Sequence, residues 1–325
     1  MTILRHRLGT LAFVCLTAGT LLATSLQTTA SARTVDERCV GRGPIPASAL
    51  AHGTTGLGCS LVGRVVTAGR VSVVVPPAGV TVAGDGLGRH GEVTGLRVAN
   101  AGGDVRAVLG KAPHSGSSGA GSNAPACKDR TFHLEGHRWA KSLRYRVALS
   151  HAPKRYHHRT LVRQIKAADV NVRKGRNSCG KPHLRTPVGH YAGHTSSQPN
   201  IKPGGSRIKC GAYNTRNVVG FGSLPGGLLG WTCYWYLNRS GRMGAADIMI
   251  DTGNALTTHL PSPCANKWDF EGIVTHEFGH AYGMGHTGPG HSHLTMQHAA
   301  TPCSPYARTL GLGDWLGMKK MYGAK

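Results

Sequence analysis

Acidic residues are scarce. There are 14 Asp and Glu against 38 Lys and Arg, with 19 His, for a formal net charge of +24. Such an imbalance favours anionic surroundings, such as cell-wall polymers, acidic proteins or nucleic acid, or else serves solubility and surface retention. Aromatics are few, at 6 % of the chain. No basic helix interleaved with them stands out, so no specific nucleic-acid module is expected. Beyond about residue 26, no stretch approaches the ~18 consecutive apolar residues that a spanning helix needs. C-x-x-C pairs are absent although the chain has nine cysteines, which argues against a cysteine-rich metal site.

The N-terminus reads as a targeting segment. Arg5, His6 and Arg7 precede an apolar stretch over residues 8–26, and Ala30-Ser31-Ala32 forms a small-residue cleavage site. The alternative is an uncleaved anchor, but threonines and glycines dilute the stretch. Residues 1–32 are therefore expected to be a signal peptide, with a secreted, extracellular product that is monomeric and is held, on one reading, at the cell wall. Cys15 lies in that segment, which leaves Cys39, Cys59, Cys127, Cys179, Cys210, Cys233, Cys264 and Cys303. Widely spaced cysteines in an exported chain read as disulfides.

Residues 33–113 are Gly- and Val-rich, with short strand-like runs at 69–75, 79–82 and 96–98, and read as a small β-rich module. Cys39 and Cys59 are its only cysteines and should pair. Either a pro-domain or a targeting module fits this position. Residues 114–126 have the Ser/Gly composition of a tether. The texture then changes for residues 127–325. Alternation predicts a strand at 143–147, and apolar Leu161, Val162, Ile165, Ala168 and Val172 recur at helical spacing over 156–172. Strands are expected at 217–221, 228–237 and 246–250. A helix is expected over 268–282, with Asn266 as N-cap and Asp269 in its first turn, and a last helix over 313–321. The order implies an α+β domain with three helices against one sheet.

The informative run is His276-Glu277-Phe278-Gly279-His280-Ala281-Tyr282-Gly283-Met284-Gly285-His286. His276 and His280 lie one helical turn apart on one face, so both imidazoles can reach one ion. Glu277 is one step round, able to reach a metal-held water without ligating. Gly283 permits φ > 0, ends the helix and brings His286 back as a third ligand. Three imidazoles leave a fourth tetrahedral position open, as in catalytic rather than structural zinc sites. A zinc-bound water with Glu277 as general base would hydrolyse a peptide bond. With this composition, the full pattern arises by chance in on the order of 10⁻⁴ of shuffled chains.

H-E-x-x-H-x-x-G-x-x-H resembles the zinc signature of the metzincins, and the sequence around His276 is most similar to the matrixin branch, in particular its small secreted actinobacterial members. The resemblance extends over about residues 131–323. It implies a metzincin catalytic domain, a twisted mixed sheet with three helices and zinc in the cleft. It also implies one catalytic Zn²⁺ on His276, His280 and His286, with Glu277 catalytic and protein or peptide substrates. Leu294-Thr295-Met296-Gln297 fits the turn whose methionine lies beneath the metal, so Gly283 and Met296 are expected to support the site. Residues 228–237 occupy the place of the edge strand that pairs with substrate backbone. Residues 312–323 resemble the closing helix.

Departures are also visible. His298 stands where matrixins usually have Pro, as a solvated loop histidine or an aid to catalysis. No calcium-ligand run is recognisable, and a second zinc would have to use His183, His190, His194, His291 or His293. Cys179-Gly180-Lys181-Pro182 looks like the cysteine latch of matrixin propeptides, but it follows the first helix of the domain, so Cys179 is expected to be structural. A Cys264–Cys303 bridge is expected, while the pairing of Cys127, Cys179, Cys210 and Cys233 stays open.

Two other functions fit. One is a zinc hydrolase of peptidoglycan cross-bridges, and the other is a non-catalytic cell-surface binding protein that contains zinc. The secreted form should begin near Arg33 if the module is retained and near Ala124 if it is removed, which N-terminal sequencing of culture supernatant reads directly.

Overall fold

The computed structural model describes residues 36–55, 57–91, 95–110, 124–187, 189–253 and 255–324. The expected signal peptide and residues 114–123 of the expected tether lie outside this set. From Asp36 onward the chain forms one compact unit.

The architecture is α+β. In chain order the main elements are β1 (Val65–Ala68), β2 (Val71–Val74), β3 (Val80–Asp85), β4 (Leu96–Ala101), β5 (Asp104–Leu109), β6 (Leu143–Val147) and helix α1 (His158–Lys174). There follow β7 (Gly189–His194), β8 (Ile201–Gly204), β9 (Arg207–Cys210), β10 (Val218–Gly222), β11 (Gly230–Leu237), β12 (Met243–Asp251), α2 (Phe270–Tyr282) and α3 (Leu312–Tyr322). An eight-stranded mixed sheet runs β5-β4-β3-β11-β12-β10-β6-β7. Its β12, β10, β6 and β7 are mutually parallel, and β11 is antiparallel to β12. A second sheet joins Ile45–Pro46, β1, β2, β9 and β8.

Side-chain alternation explains why two cores flank the large sheet. On β12, Ile248 and Ile250 join the core that holds Tyr145, Ile165, Phe221, Phe278 and Trp315, while Met249 joins the opposite one. On β11, Tyr234 faces the first core, and Trp231, Cys233 and Trp235 face the second, with Val73, Val82, Val98 and Ile208. Residues expected to form a small module of their own thus share a sheet and a core with the rest.

Helix α1 buries Leu161, Ile165, Ala168 and Val172 and ends at Gly175, whose φ of 61° is the left-handed cap that glycine adopts readily. Helix α2 starts two residues later than its sequence predicts. Its N-cap is Asp269, which accepts the Gly272 N–H at 2.7 Å, whereas Asn266 sits outside with φ 50°. The carboxylate is the better cap because it is fixed there by Arg308.

All eight described cysteines pair. Cys39–Cys59 and Cys264–Cys303 occur as expected, and the open pairings resolve as Cys127–Cys179 and Cys210–Cys233. Cys179 is therefore structural, and Cys210–Cys233 ties β9 of the smaller sheet to β11 of the larger. No helix among the described residues is long and apolar enough to cross a membrane.

Helices α1 and α2 are clamped by Asp169. It accepts the Tyr282 hydroxyl at 2.7 Å and Arg173 Nε at 3.1 Å. Replacing Asp169 by Ala leaves that hydroxyl and guanidinium without their acceptor. The expected cost is about 3 kcal/mol, read as a lower denaturation midpoint at unchanged slope.

Candidate metal centre

Helix α2 is buried nearly throughout, so its two histidines are presented from a rigid element. Gly283 then turns the chain. Its φ is 107°, and a Cβ there would lie 2.2 Å from the His137 carbonyl oxygen, so only glycine fits. Past this turn, Met284–Gly285 pairs with His133–Leu134, which fixes the approach of His286.

The three rings converge through Nε2. The separations are 3.0 Å for His276–His280, 3.0 Å for His276–His286 and 3.2 Å for His280–His286. Tetrahedral coordination with bonds of about 2.0–2.1 Å would place ligand nitrogens roughly 3.3 Å apart, so the set fits one ion to within a few tenths of an ångström. The opposite face of each ring is also engaged. His276 Nδ1 lies 2.7 Å from the Thr295 carbonyl, and His280 Nδ1 lies 3.0 Å from that of Met284. A carbonyl can only accept, so each of these nitrogens carries the proton and its Nε2 offers a lone pair. His286 Nδ1 faces the Asp85 carboxylate at 3.4 Å.

Burial lowers the pKa of all three imidazoles, His280 to about 4 and His286 to about 3, with repulsion from neighbouring histidines adding to it. They are neutral at pH 7, and their lone pairs crowd one point. Such a point is stabilised by a cation. Among the described residues this is the one group of three or more His, Cys, Asp or Glu able to hold a metal ion.

Beneath the rings lies a carboxylate anchor. Asp314, on α3, is fully buried and accepts the N–H groups of Thr295 at 2.7 Å, Met296 at 3.2 Å and Gly311 at 2.9 Å. Burial raises its pKa to about 6 while these donors hold it down, so it is ionised at neutral pH. It thereby fixes the Thr295 carbonyl against His276. Met296 is buried against Gly279, where a Cβ would come within 2.2 Å of its sulfur.

Glu277 is wholly buried beside this cluster. Thr232 Oγ1 on β11 donates to Oε2 at 2.6 Å, and the Leu87 N–H donates to Oε1 at 3.1 Å. Burial nevertheless pushes Glu277 up to about 8.

Residues 228–237 were expected to be an edge strand, and here the structure differs. β11 is internal, because β3 pairs with it antiparallel from Leu237↔Val80 to Thr232↔Asp85. The neighbouring strand fits so closely because Gly84 and Gly86 lie flush on Trp231. Asp85, Leu87 and Thr232 carry no sequence signal of a site, since they reach it only through this pairing.

The other histidines are not gathered. His291 pairs with Asp129 at 2.7 Å, and His293 lies 3.0 Å from the Ala124 carbonyl. His183 faces the Lys174 carbonyl, whereas His190 and His194 lie on β7. His298 packs its ring against Gly91. Compared with known proteins, the chain matches no family model and no curated sequence.

The full chain should retain one divalent ion after dialysis, and His280→Ala well under one, by elemental analysis. Asp314→Ala touches no ligand directly, yet it should weaken the metal about 10–100-fold by releasing Thr295.

Proposed function

We propose that the chain is a secreted, zinc-dependent endopeptidase of the matrixin-like metzincin type. The observation that carries the reading is the convergence of three imidazoles beside the buried Glu277 side chain. Zinc held by His276, His280 and His286 would supply Lewis acidity, acidifying a water and polarising the scissile carbonyl.

The chain's own groups do the rest. Glu277 takes a proton from the attacking water and delivers it to the departing amine. Glu277 adjoins His276 on the same helix, and its burial favours uptake of the proton. Thr232 fixes the orientation of Glu277 through Oε2. The Thr295 and Met284 carbonyls hold two rings in one tautomer, and Asp314 and Met296 keep the floor rigid. The mixed strands β11, β12, β10, β6 and β7 with three helices support the fold part of this reading. Four disulfides suit an oxidising, extracellular compartment. The cationic excess favours action near anionic cell-wall polymers, so purified cell wall belongs beside casein among the substrates assayed.

Glu277→Gln should lower kcat/KM on peptides by about 10²–10⁴-fold while metal content stays unchanged. If zinc-loaded chains hydrolyse neither casein, peptides nor cell wall, even with residues 84–88 displaced by substitution, the enzyme reading fails and a zinc-containing binding protein takes its place.

A further inference from the structure

The segment that covers β11 does more than complete a sheet. Beyond β3 the main chain continues in the same direction across the candidate centre, and it is bonded on both sides. The Leu87 carbonyl accepts the N–H groups of Leu229 at 2.8 Å and Gly230 at 3.3 Å. Gly88 bridges Leu228 antiparallel and Ala299 parallel, and its carbonyl accepts the Ala300 N–H at 2.9 Å. Arg89 N–H reaches the Gly227 carbonyl at 3.1 Å. Residues 80–89 therefore form one extended strap, held against β11 and its preceding turn on one side and against β4 and then the 299–300 segment on the other.

Period-two alternation orients this strap. Gly84 and Gly86 face Trp231, where a Cβ on Gly86 would lie 2.4 Å from the Gly230 carbonyl oxygen. Asp85 and Leu87 face the other way, Asp85 toward His286. Leu87 is fully buried in the core that includes Phe278, Met296 and Ala300. The Leu87 amide nitrogen lies 3.1 Å from Glu277 Oε1, within the reach required for proton transfer to a leaving nitrogen. An extended peptide that adds to a sheet edge takes the same kind of main-chain bonds.

We infer that residues 80–89 are a resident substrate mimic: the strap fills the groove along β11, presents the Gly86–Leu87 peptide to Glu277, and keeps the full chain closed to other peptides. The inference rests on the peptidase reading above for what the groove accepts, but the blockade itself is a property of the strap. Only the fraction of molecules with the strap displaced can bind a competitor, so apparent affinity falls by that fraction. Latency here needs no cysteine, in keeping with the pairing of Cys179 with Cys127.

Two full-chain variants loosen the strap without replacing a metal-cluster histidine or Glu277. Gly86→Val cannot keep the close approach to Gly230. Leu87→Ala empties the buried anchor and leaves the backbone path intact, so it serves if the first variant folds poorly. Each is loaded with cobalt(II) and titrated with acetohydroxamic acid, following the visible absorption of the ion. In parallel, zinc-loaded samples are given a quenched-fluorescent peptide mixture. Hydroxamate should bind at least about tenfold more tightly to the folded variants than to wild type, with hydrolysis rising by a similar factor. Equal hydroxamate affinity in wild type and variants overturns the strap, and so does measurable hydrolysis that is equal in all of them. Tighter hydroxamate binding with no hydrolysis in any sample leaves the strap standing and removes the peptidase reading.

Discussion

Three buried nitrogen lone pairs aimed at one point set the terms for much of this fold. Left to themselves they repel. They are held together because each ring is engaged at its far nitrogen: His276 by the Thr295 carbonyl, His280 by the Met284 carbonyl and His286 by the Asp85 carboxylate. Those acceptors come from three separate parts of the chain. The Thr295 carbonyl is in turn placed by Asp314, a buried anion that collects three main-chain N–H groups from the loop it supports. A helix, a turn and a loop that would otherwise be independent become one rigid body around the convergence point. Gly283 and Gly279 belong to the same constraint, since a side chain at either would strike the His137 carbonyl or the Met296 sulfur.

The helix and the histidine cluster that could hold a metal ion were legible because their chemistry is local. His276, Glu277, His280, Gly283 and His286 fall within eleven residues, and helical periodicity alone puts the first three within reach of one ion. The strand at 143–147 and the 246–250 part of Met243–Asp251 were equally readable from alternation and apolar content, as was the α+β class. The N-cap was misassigned because Asn266 and Asp269 are both good capping residues. The choice between them is made by Arg308, thirty-nine residues further on. Likewise, nothing local distinguishes Asp314 from any other acidic residue in a first helical turn. Its role exists only once the 294–297 loop is folded over it.

The N-terminal strands were legible as strands but not in their destination. Val80–Asp85 reads as part of a small independent module because its own neighbours in sequence are strands and turns. Its partner in space is β11, some 150 residues later. Parity of side chains forces that outcome. The face of β11 opposite the helices carries Trp231, Cys233 and Trp235, which are buried only because strands from residues 65–109 and 201–210 cover them. An isolated β11 edge would expose large aromatic surface and a row of unpaired main-chain groups, both costly in water.

This coverage also constrains what the centre can do. The same pairing that buries Trp231 and Trp235 carries the chain on to Leu87, whose amide occupies one oxygen of Glu277 while Thr232 occupies the other. Each oxygen of Glu277 thus accepts one hydrogen bond, and the donor at Oε1 is the one that the strap supplies. Freeing Oε1 requires movement only of the segment beyond Asp85, since Thr232 belongs to the sheet itself. The β3–β11 ladder can stay formed while the segment beyond Asp85 lifts, so opening the centre and keeping the aromatic face covered are separable events. A local displacement of that kind draws on few buried contacts compared with global unfolding. The lone pairs, the carboxylate and the strap are therefore coupled through a single stretch of backbone, and residues 84–88 are where the energy needed to open the centre is decided.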